Sequence, residues 1–262
     1  MFIAHNDAHL FALDFGPGPR ELLAFGGWAG SWEVWAPTLG VLSRSWRAAA
    51  YDHRGTGATV APVESITVAN MTADVFAVLD ALGLARPVLA AESAGATVAL
   101  LAALQRPERF AGLVLVDGLI HHERRATDPF AAGLRTDFAA TIAAFAAACV
   151  PDSEPDGAAV RRWGVQILSR SGPAAALRLY ESVAGIDLRP RLGEVTLPVQ
   201  VIHGTADALV PASDARAMTA ALPRATLHLI PGAGHVPTMT HPIEMAAAID
   251  RFFSAESRPI ET

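Results

Sequence analysis

The chain has 262 residues, is 52% hydrophobic and 18% charged, and carries a formal net charge of −6. This length and composition allow one large domain with a sizeable core, whereas the negative charge argues against nucleic-acid binding, which needs a basic surface. All 20 basic residues are arginine, so Schiff-base, Ser-Lys and P-loop chemistry, each of which needs a lysine, are excluded.

No apolar run approaches the roughly 20 residues that cross a bilayer. Residues 1–7 lack the basic start and apolar stretch of a signal peptide. The single cysteine, Cys149, forms no internal disulfide and fits a reducing compartment. We therefore expect a cytoplasmic protein whose partner is a small molecule rather than a membrane or a nucleic acid.

Strand and helix patterns alternate along most of the chain. Short apolar or alternating runs that end at turn residues predict strands at 8–15, 22–25, 46–51, 87–91, 113–116, 199–203 and 226–230. Apolar residues at helical spacing predict helices at 32–42, 68–82, 94–105, 212–221 and 243–253. This alternation predicts an α/β fold, with a mostly parallel sheet that helices cover on both faces.

Residues 119–190 interrupt the alternation, because they contain no convincing strand pattern. Three helices separated by proline and glycine breaks are predicted there, at 135–148, 158–169 and 174–183. An inserted helical block at this point is expected to lie over the carboxyl ends of the strands, where open α/β sheets bind ligands. The predicted organisation is a core of residues 1–118 and 191–262 with a helical cap of residues 119–190.

Ser93 lies between small residues at a predicted junction of strand and helix, in the sequence Ala91-Glu92-Ser93-Ala94-Gly95. Small neighbours permit a sharp turn of the chain. A serine at such a junction either caps the helix or is presented as a nucleophile by a strained turn. The pentapeptide alone leaves both interpretations open.

Two further turns follow predicted strands and carry the residues that a serine nucleophile needs. Asp207 lies in "HGTADALVP", and His235 lies in "PGAGHVPTMTHP". The carboxyl ends of parallel strands meet at one edge of a sheet, so these side chains and Ser93 are expected to converge. A serine hydroxyl becomes an effective nucleophile when a histidine takes its proton and a carboxylate orients that histidine. The three turns therefore predict a catalytic triad.

The order Ser, Asp, His along the chain resembles that of the α/β-hydrolases, and the resemblance covers nearly the whole sequence. "YDHRGTGAT" (51–59) resembles the Asp-x-Arg-Gly-x-Gly turn of that family, "FGGWAGSW" (25–32) resembles its oxyanion loop, and "PERFAGLVLVDG" (107–118) resembles its strand after the elbow helix. The resemblance implies an α/β-hydrolase fold with an inserted helical cap and a serine hydrolase activity that needs no cofactor.

Two positions depart from the family pattern. Ala91 replaces the first glycine of Gly-x-Ser-x-Gly, which adds only one methyl group, and Phe25 replaces the histidine that usually begins the oxyanion loop. The resemblance implies two backbone N–H donors for the oxyanion. Ala94, as the residue after the nucleophile, is expected to supply one of them. Gly27 is expected to supply the other, with Trp28 as the alternative because the loop is one residue longer than usual.

Several polar residues near these turns have competing interpretations. Glu92 is expected to pack or pair beside the elbow, with tuning of the histidine as the alternative. Asp117 also follows a strand and is the alternative triad acid, although the sequence context favours Asp207. Asp52 and Arg54 are expected to pair with each other. His121 and His122 have no third ligand at a suitable spacing, so no metal site is expected.

Four aromatic residues are candidates for lining the substrate site, with core packing as the alternative: Trp28, Phe138, Trp163 and Tyr180. The resemblance implies hydrolysis of a carboxylic ester or lactone. The cap sequence is rich in alanine and leucine, which indicates a substrate with an apolar acyl or ring group. Carbon–carbon bond hydrolases, perhydrolases and cofactor-independent dioxygenases share this machinery, and a ligand receptor can be built on the same fold.

Overall fold

An eight-stranded sheet organises the chain, which a computed structural model describes over residues 1–123 and 127–256. The strands are β1 (Phe2–His5), β2 (Ala8–Phe15), β3 (Arg20–Phe25), β4 (Trp46–Tyr51), β5 (Val88–Glu92), β6 (Gly112–Val116), β7 (Val199–Gly204) and β8 (Ala225–Ile230). Their order across the sheet is β1-β2-β4-β3-β5-β6-β7-β8. At one edge of the sheet, β1 pairs with β2 and β2 with β4 in antiparallel fashion. All the other pairings, including that of β7 with β8 at the opposite edge, are parallel.

The helices are α1 (Ala36–Leu42), α2 (Val68–Leu82), α3 (Gly95–Gln105), α4 (Pro129–Thr136), α5 (Phe138–Cys149), α6 (Gly157–Ser169), α7 (Gly172–Val183), α8 (Ala212–Ala221), α9 (Pro237–Thr240) and α10 (Pro242–Glu256).

Alternate residues of each central strand face opposite sides of the sheet. Leu89 and Ala91 thus join one apolar cluster, and Val88 and Ala90 join the other. Every residue of β5, β6 and β7 is buried. The predicted α/β architecture is confirmed.

The segment between β6 and β7 is helical. It contains α4 to α7 and, among its described residues, no strand longer than the isolated bridge between His121 and Asp187. The helix predicted at 135–148 is present as α5, but its predicted start is wrong, because Asp137 separates α4 from α5 and its side chain accepts the N–H of Ala140 as an N-cap. None of the described helices combines the length and apolar composition of a membrane span.

The expected pairing of Asp52 with Arg54 is also wrong. The Asp52 carboxylate accepts two backbone N–H groups, from Trp32 at 2.7 Å and Ala58 at 2.8 Å. The Arg54 guanidinium is fully buried and instead forms a bidentate pair with the buried Asp74 of α2, at 2.7 and 3.1 Å. The ion pair therefore ties α2 to the turn after β4.

Replacing Asp74 with asparagine is expected to lower the free energy of unfolding by about 3 kcal/mol, because it leaves the Arg54 charge buried without its main partner. Urea unfolding followed by circular dichroism measures the loss. Asp7 also contacts Arg54 but is half exposed, so Asp7→Asn is the control and is expected to cost much less. If both variants lost the same free energy of unfolding, the burial of Asp74 would not be the reason for its larger expected effect.

Candidate active site

Ser93 occupies a sharp turn between β5 and α3. Its backbone has φ +51°, in the left-handed region that non-glycine residues rarely adopt. No side chain caps the N-terminus of α3, so the helix-cap interpretation of Ser93 is wrong. Gly95 allows the turn to approach the oxyanion loop closely, because a Cβ at this position would lie 2.7 Å from the Gly26 oxygen. The geometry is that of a nucleophile elbow.

The structure brings Ser93, Asp207 and His235 together, from the loops that follow β5, β7 and β8. The Ser93 Oγ lies 2.8 Å from His235 Nε2, and His235 Nδ1 lies 2.7 Å from Asp207 Oδ2. All three side chains are buried or nearly so. These distances allow a proton to move from the hydroxyl to the imidazole while the carboxylate holds the ring.

The charge states of Asp207 and His235 depend on the hydrogen bonds that these side chains form. Burial alone would raise the pKa of Asp207, but bonds from His235 and from the N–H groups of Leu209 and Val210 hold it below its usual value. Burial alone would lower the pKa of His235. The bond to Asp207 and the nearby negative charges outweigh burial and raise it to about 9. The lowered pKa of Asp207 favours its ionised form, and the raised pKa of His235 favours a protonated imidazole beside it.

Asp117 lies beside Asp207 and His235 but forms no hydrogen bond with His235. Its Oδ1 accepts the N–H of Gly204 at 2.9 Å and lies 3.3 Å from His203 Nδ1. Burial raises the pKa of Asp117 well above its usual range and lowers that of His203, so it favours the uncharged form of each group. The donor atoms of Asp117, His203 and Asp207 lie within 4.8 Å of one another, the spacing of a metal site. Hydrogen bonds already engage all three residues.

The loop that carries His235 is held by the helical segment. The backbone N–H of His235 donates to the Cys149 oxygen at the end of α5, at 2.7 Å. The preceding N–H, of Gly234, donates to the buried carboxylate of Glu154 at 2.5 Å. A Cβ on Gly234 would overlap the Cys149 oxygen. The position of the imidazole thus depends on the loop between α5 and α6.

The expected oxyanion donors lie around Ser93 but are not equivalent. The Gly27 N–H already donates to the Glu92 carboxylate, at 3.2 Å. In the described part of the chain, no hydrogen bond engages the backbone N–H of Ala94 or of Trp28. The pairing of Glu92 beside the elbow agrees with the sequence expectation, although its partner is a backbone amide.

Two cavities meet at Ser93 and His235. The smaller, of about 50 Å³, is bounded by α5 and α6, and the larger, of about 420 Å³, is bounded by α4, α5 and α7. Both are lined by Trp28, whose indole N–H donates to the Ala176 oxygen of α7 at 2.8 Å. The rings of Phe130 and Phe145 contact the Trp28 ring with centroids 4.9 and 5.1 Å away.

Of the four aromatic residues predicted to line the substrate site, two line a cavity beside Ser93 and two pack against the core. Trp28 and Tyr180 line the larger cavity, whereas Phe138 and Trp163 pack against the two core clusters and are absent from the described lining of both cavities. Sequence reasoning missed Phe130 and Phe145. Their only signal was an aromatic ring in the helical segment, and Phe138 carries the same signal.

Replacing Ser93 with glycine is expected to stabilise the fold by about 1 kcal/mol relative to replacement with alanine. Both variants lack the hydroxyl, but glycine adopts positive φ without the steric cost that alanine bears. The difference in the free energy of unfolding in urea measures the strain at the elbow. An alanine variant as stable as the glycine variant would contradict a strained turn.

Comparison with known proteins shows the family to which the chain belongs. The sequence profile of the family described as alpha/beta hydrolase fold matches residues 22–242. The chain is 32% identical to the "Putative carbamate hydrolase RutD" of Caulobacter sp. (strain K31), over 91% of this chain and 92% of that protein. It is also 32% identical to the pimeloyl-[acyl-carrier protein] methyl ester esterase of Nitrosomonas europaea, over 90% and 96%. The enol-lactonase of Burkholderia xenovorans LB400 has a similar structure, with a TM-score of 0.89, 20% identity and coverage of 97% and 100%. The chain belongs to the α/β-hydrolase family.

Proposed function

We propose that this protein hydrolyses a carboxylic ester or lactone with an apolar acyl or ring group. The observation that carries the proposal is the continuous hydrogen-bonded chain from Ser93 Oγ through His235 to Asp207, built on a turn with positive φ. Family relatives named as a methyl ester esterase and an enol-lactonase support ester chemistry. No metal or cofactor takes part in the proposed reaction.

In the first half of the proposed reaction, Ser93 Oγ attacks the carbonyl carbon and its proton passes to His235 Nε2. The oxyanion accepts hydrogen bonds from the Ala94 N–H and from a second N–H of the loop after β3. The carbon–oxygen bond to the alcohol then breaks, and the imidazolium gives its proton to the leaving oxygen. Asp207 stabilises the imidazolium throughout.

In the second half, water resolves the acyl-enzyme. His235, again neutral, takes a proton from the water molecule while the water oxygen attacks the acyl carbon. The tetrahedral intermediate collapses, the bond to Ser93 Oγ breaks, and the serine recovers its proton from the imidazolium. The products are a carboxylic acid and an alcohol, or one hydroxy acid when the substrate is a lactone.

The cavities support an apolar substrate with unequal halves. The space of about 50 Å³ accommodates only a few carbon atoms, whereas the space of about 420 Å³ holds a ring or a longer chain. Trp28, Phe130, Phe145 and Tyr180 give the larger space aromatic walls. We assign residues 119–190 the role of a cap, since α4 to α7 supply much of the wall of both spaces.

Ser93 is expected to react with a fluorophosphonate probe, and the wild-type protein is expected to turn over short p-nitrophenyl esters. Ser93→Ala should abolish labelling and lower turnover at least about 10⁴-fold, because only binding and the oxyanion site remain. Mass spectrometry of the labelled peptide locates the adduct. Turnover that survives in folded Ser93→Ala would refute the acyl-enzyme route.

Asp207→Asn is expected to lower kcat by up to about 10⁴-fold, because an amide favours the wrong imidazole tautomer. Asp117→Asn is the matched control and is expected to change kcat only a few-fold, since an asparagine oxygen can still accept the Gly204 N–H that Asp117 binds. Ester turnover measured for both variants distinguishes the two aspartates. A larger loss in Asp117→Asn would make Asp117 the triad acid.

The rate of ester hydrolysis is expected to rise with pH through a midpoint above 6.5. His235 acts as a base only when neutral, and Asp207 raises its pKa to about 9, so the active fraction grows as pH increases. Asp207→Asn removes that effect and should move the midpoint to lower pH. A pH profile of kcat/KM for both proteins measures the shift, and an unchanged midpoint would contradict the coupling.

A further inference from the structure

We propose that Glu92 is a positioning residue for the oxyanion site, and that it selects the Trp28 N–H as the second oxyanion donor by holding the N–H of Gly27. This inference rests on the proposed function. It assigns a role to a buried carboxylate that the Ser-His-Asp chain does not use, and it distinguishes between two neighbouring N–H groups that the sequence leaves as alternatives.

The first observation is the environment of Glu92. It is the last residue of β5, only 4% exposed, and directly precedes Ser93. Its Oε2 accepts the Gly27 N–H at 3.2 Å, and no ion pair with a cation engages it in the described part of the chain. Burying a carboxylate is costly unless something compensates it. The Gly27 N–H is the compensation that the structure provides in the resting site.

The second observation is how tightly Gly27 is held against the elbow. A Cβ on Gly27 would lie 2.7 Å from Ser93 Cβ and 2.9 Å from the backbone carbonyl oxygen of Glu92. Because its N–H is committed to Glu92, Gly27 cannot offer the same hydrogen to an oxyanion without releasing a buried carboxylate. The next N–H along the loop belongs to Trp28.

The third observation fixes the orientation of the peptide between Gly27 and Trp28. The Gly27 oxygen lies 2.9 Å from His53 Nε2 and accepts the Gly30 N–H at 3.2 Å. In a planar trans peptide the carbonyl and the following N–H point in opposite directions, so the Trp28 N–H points away from His53. Trp28 also lines both cavities that contain Ser93.

A charge effect accompanies this positioning. Burial raises the pKa of Glu92, and the nearby His235 imidazolium and the hydrogen bond from the Gly27 N–H only partly offset that rise. The Glu92 charge in turn adds to the larger effect of Asp207 in raising the pKa of His235. The hydrogen bond and the charge are separable by substitution, because one depends on the reach of the side chain and the other on its ionisation.

Two conservative variants separate these contributions. Glu92→Gln keeps the length and an acceptor oxygen but removes the charge, whereas Glu92→Asp keeps the charge but shortens the reach by one methylene group. We expect Glu92→Gln to retain kcat within about fivefold. We expect Glu92→Asp to lower kcat by about 10²-fold with little change in KM, the size of effect seen when one oxyanion donor is displaced. Circular dichroism checks that both variants fold.

Glu21 provides a matched control. It lies on β3, and its Oε2 accepts the backbone N–H of Ala85 at 3.0 Å, outside the residues that line the two cavities. Glu21→Asp should leave kcat unchanged. The pH profile gives a second readout, since Glu92→Gln should lower the midpoint of the kcat/KM profile whereas Glu92→Asp should not.

The outcomes are distinguishable. Full activity in Glu92→Asp, or an equal loss in Glu92→Gln and Glu92→Asp, would overturn the positioning role. If a fluorophosphonate probe labels Ser93 equally fast in wild type and Glu92→Asp, this inference fails while the proposed function stands. If the wild type is neither labelled nor active on esters, the proposed function fails and this inference fails with it.

Discussion

The hydrogen bond between Ser93 Oγ and His235 Nε2 joins loops that are 142 residues apart in the chain. It forms because β5 and β8 run parallel in one sheet, so that the loops at their carboxyl ends share an edge. The two strands between them, β6 and β7, set the distance that the loops must cross. A shift in the register of either strand would separate the hydroxyl from the imidazole, so the site depends on the apolar packing that fixes the sheet.

The site also depends on one local departure from ordinary backbone geometry, at Ser93. Ser93 adopts positive φ and gains no helix-capping bond in return. Such strain persists only where the surrounding structure enforces it. Here the Ser93 N–H donates to the Val116 oxygen, and the Ser93 oxygen accepts the Leu119 N–H. The neighbouring strand and the start of the helical segment thus hold the turn from both sides.

The sequence predicted the architecture and the three converging loops because these depend on local signals. Short apolar runs mark the strands, and small residues around Ser93 mark the turn. The partners of Glu92, Arg54 and Glu154 could not be predicted, since each reaches a residue far away in the chain. The break at Asp137 was missed because its helix-capping bond competes with an otherwise continuous alanine-rich helix pattern.

The contacts of Cys149 and Glu154 with the loop that carries His235 have a consequence for how this protein can diverge. The helical segment shapes the cavities, yet its α5–α6 loop also supports the imidazole through two backbone N–H groups. Changes in α4 and α7 can therefore alter what the larger cavity admits while the support stays intact. Changes around residues 149–154 alter the shape of the smaller cavity and the support together. We therefore expect sequence changes that alter the substrate range to occur in α4 and α7 more readily than around residues 149–154, where they would also disturb the loop that carries His235.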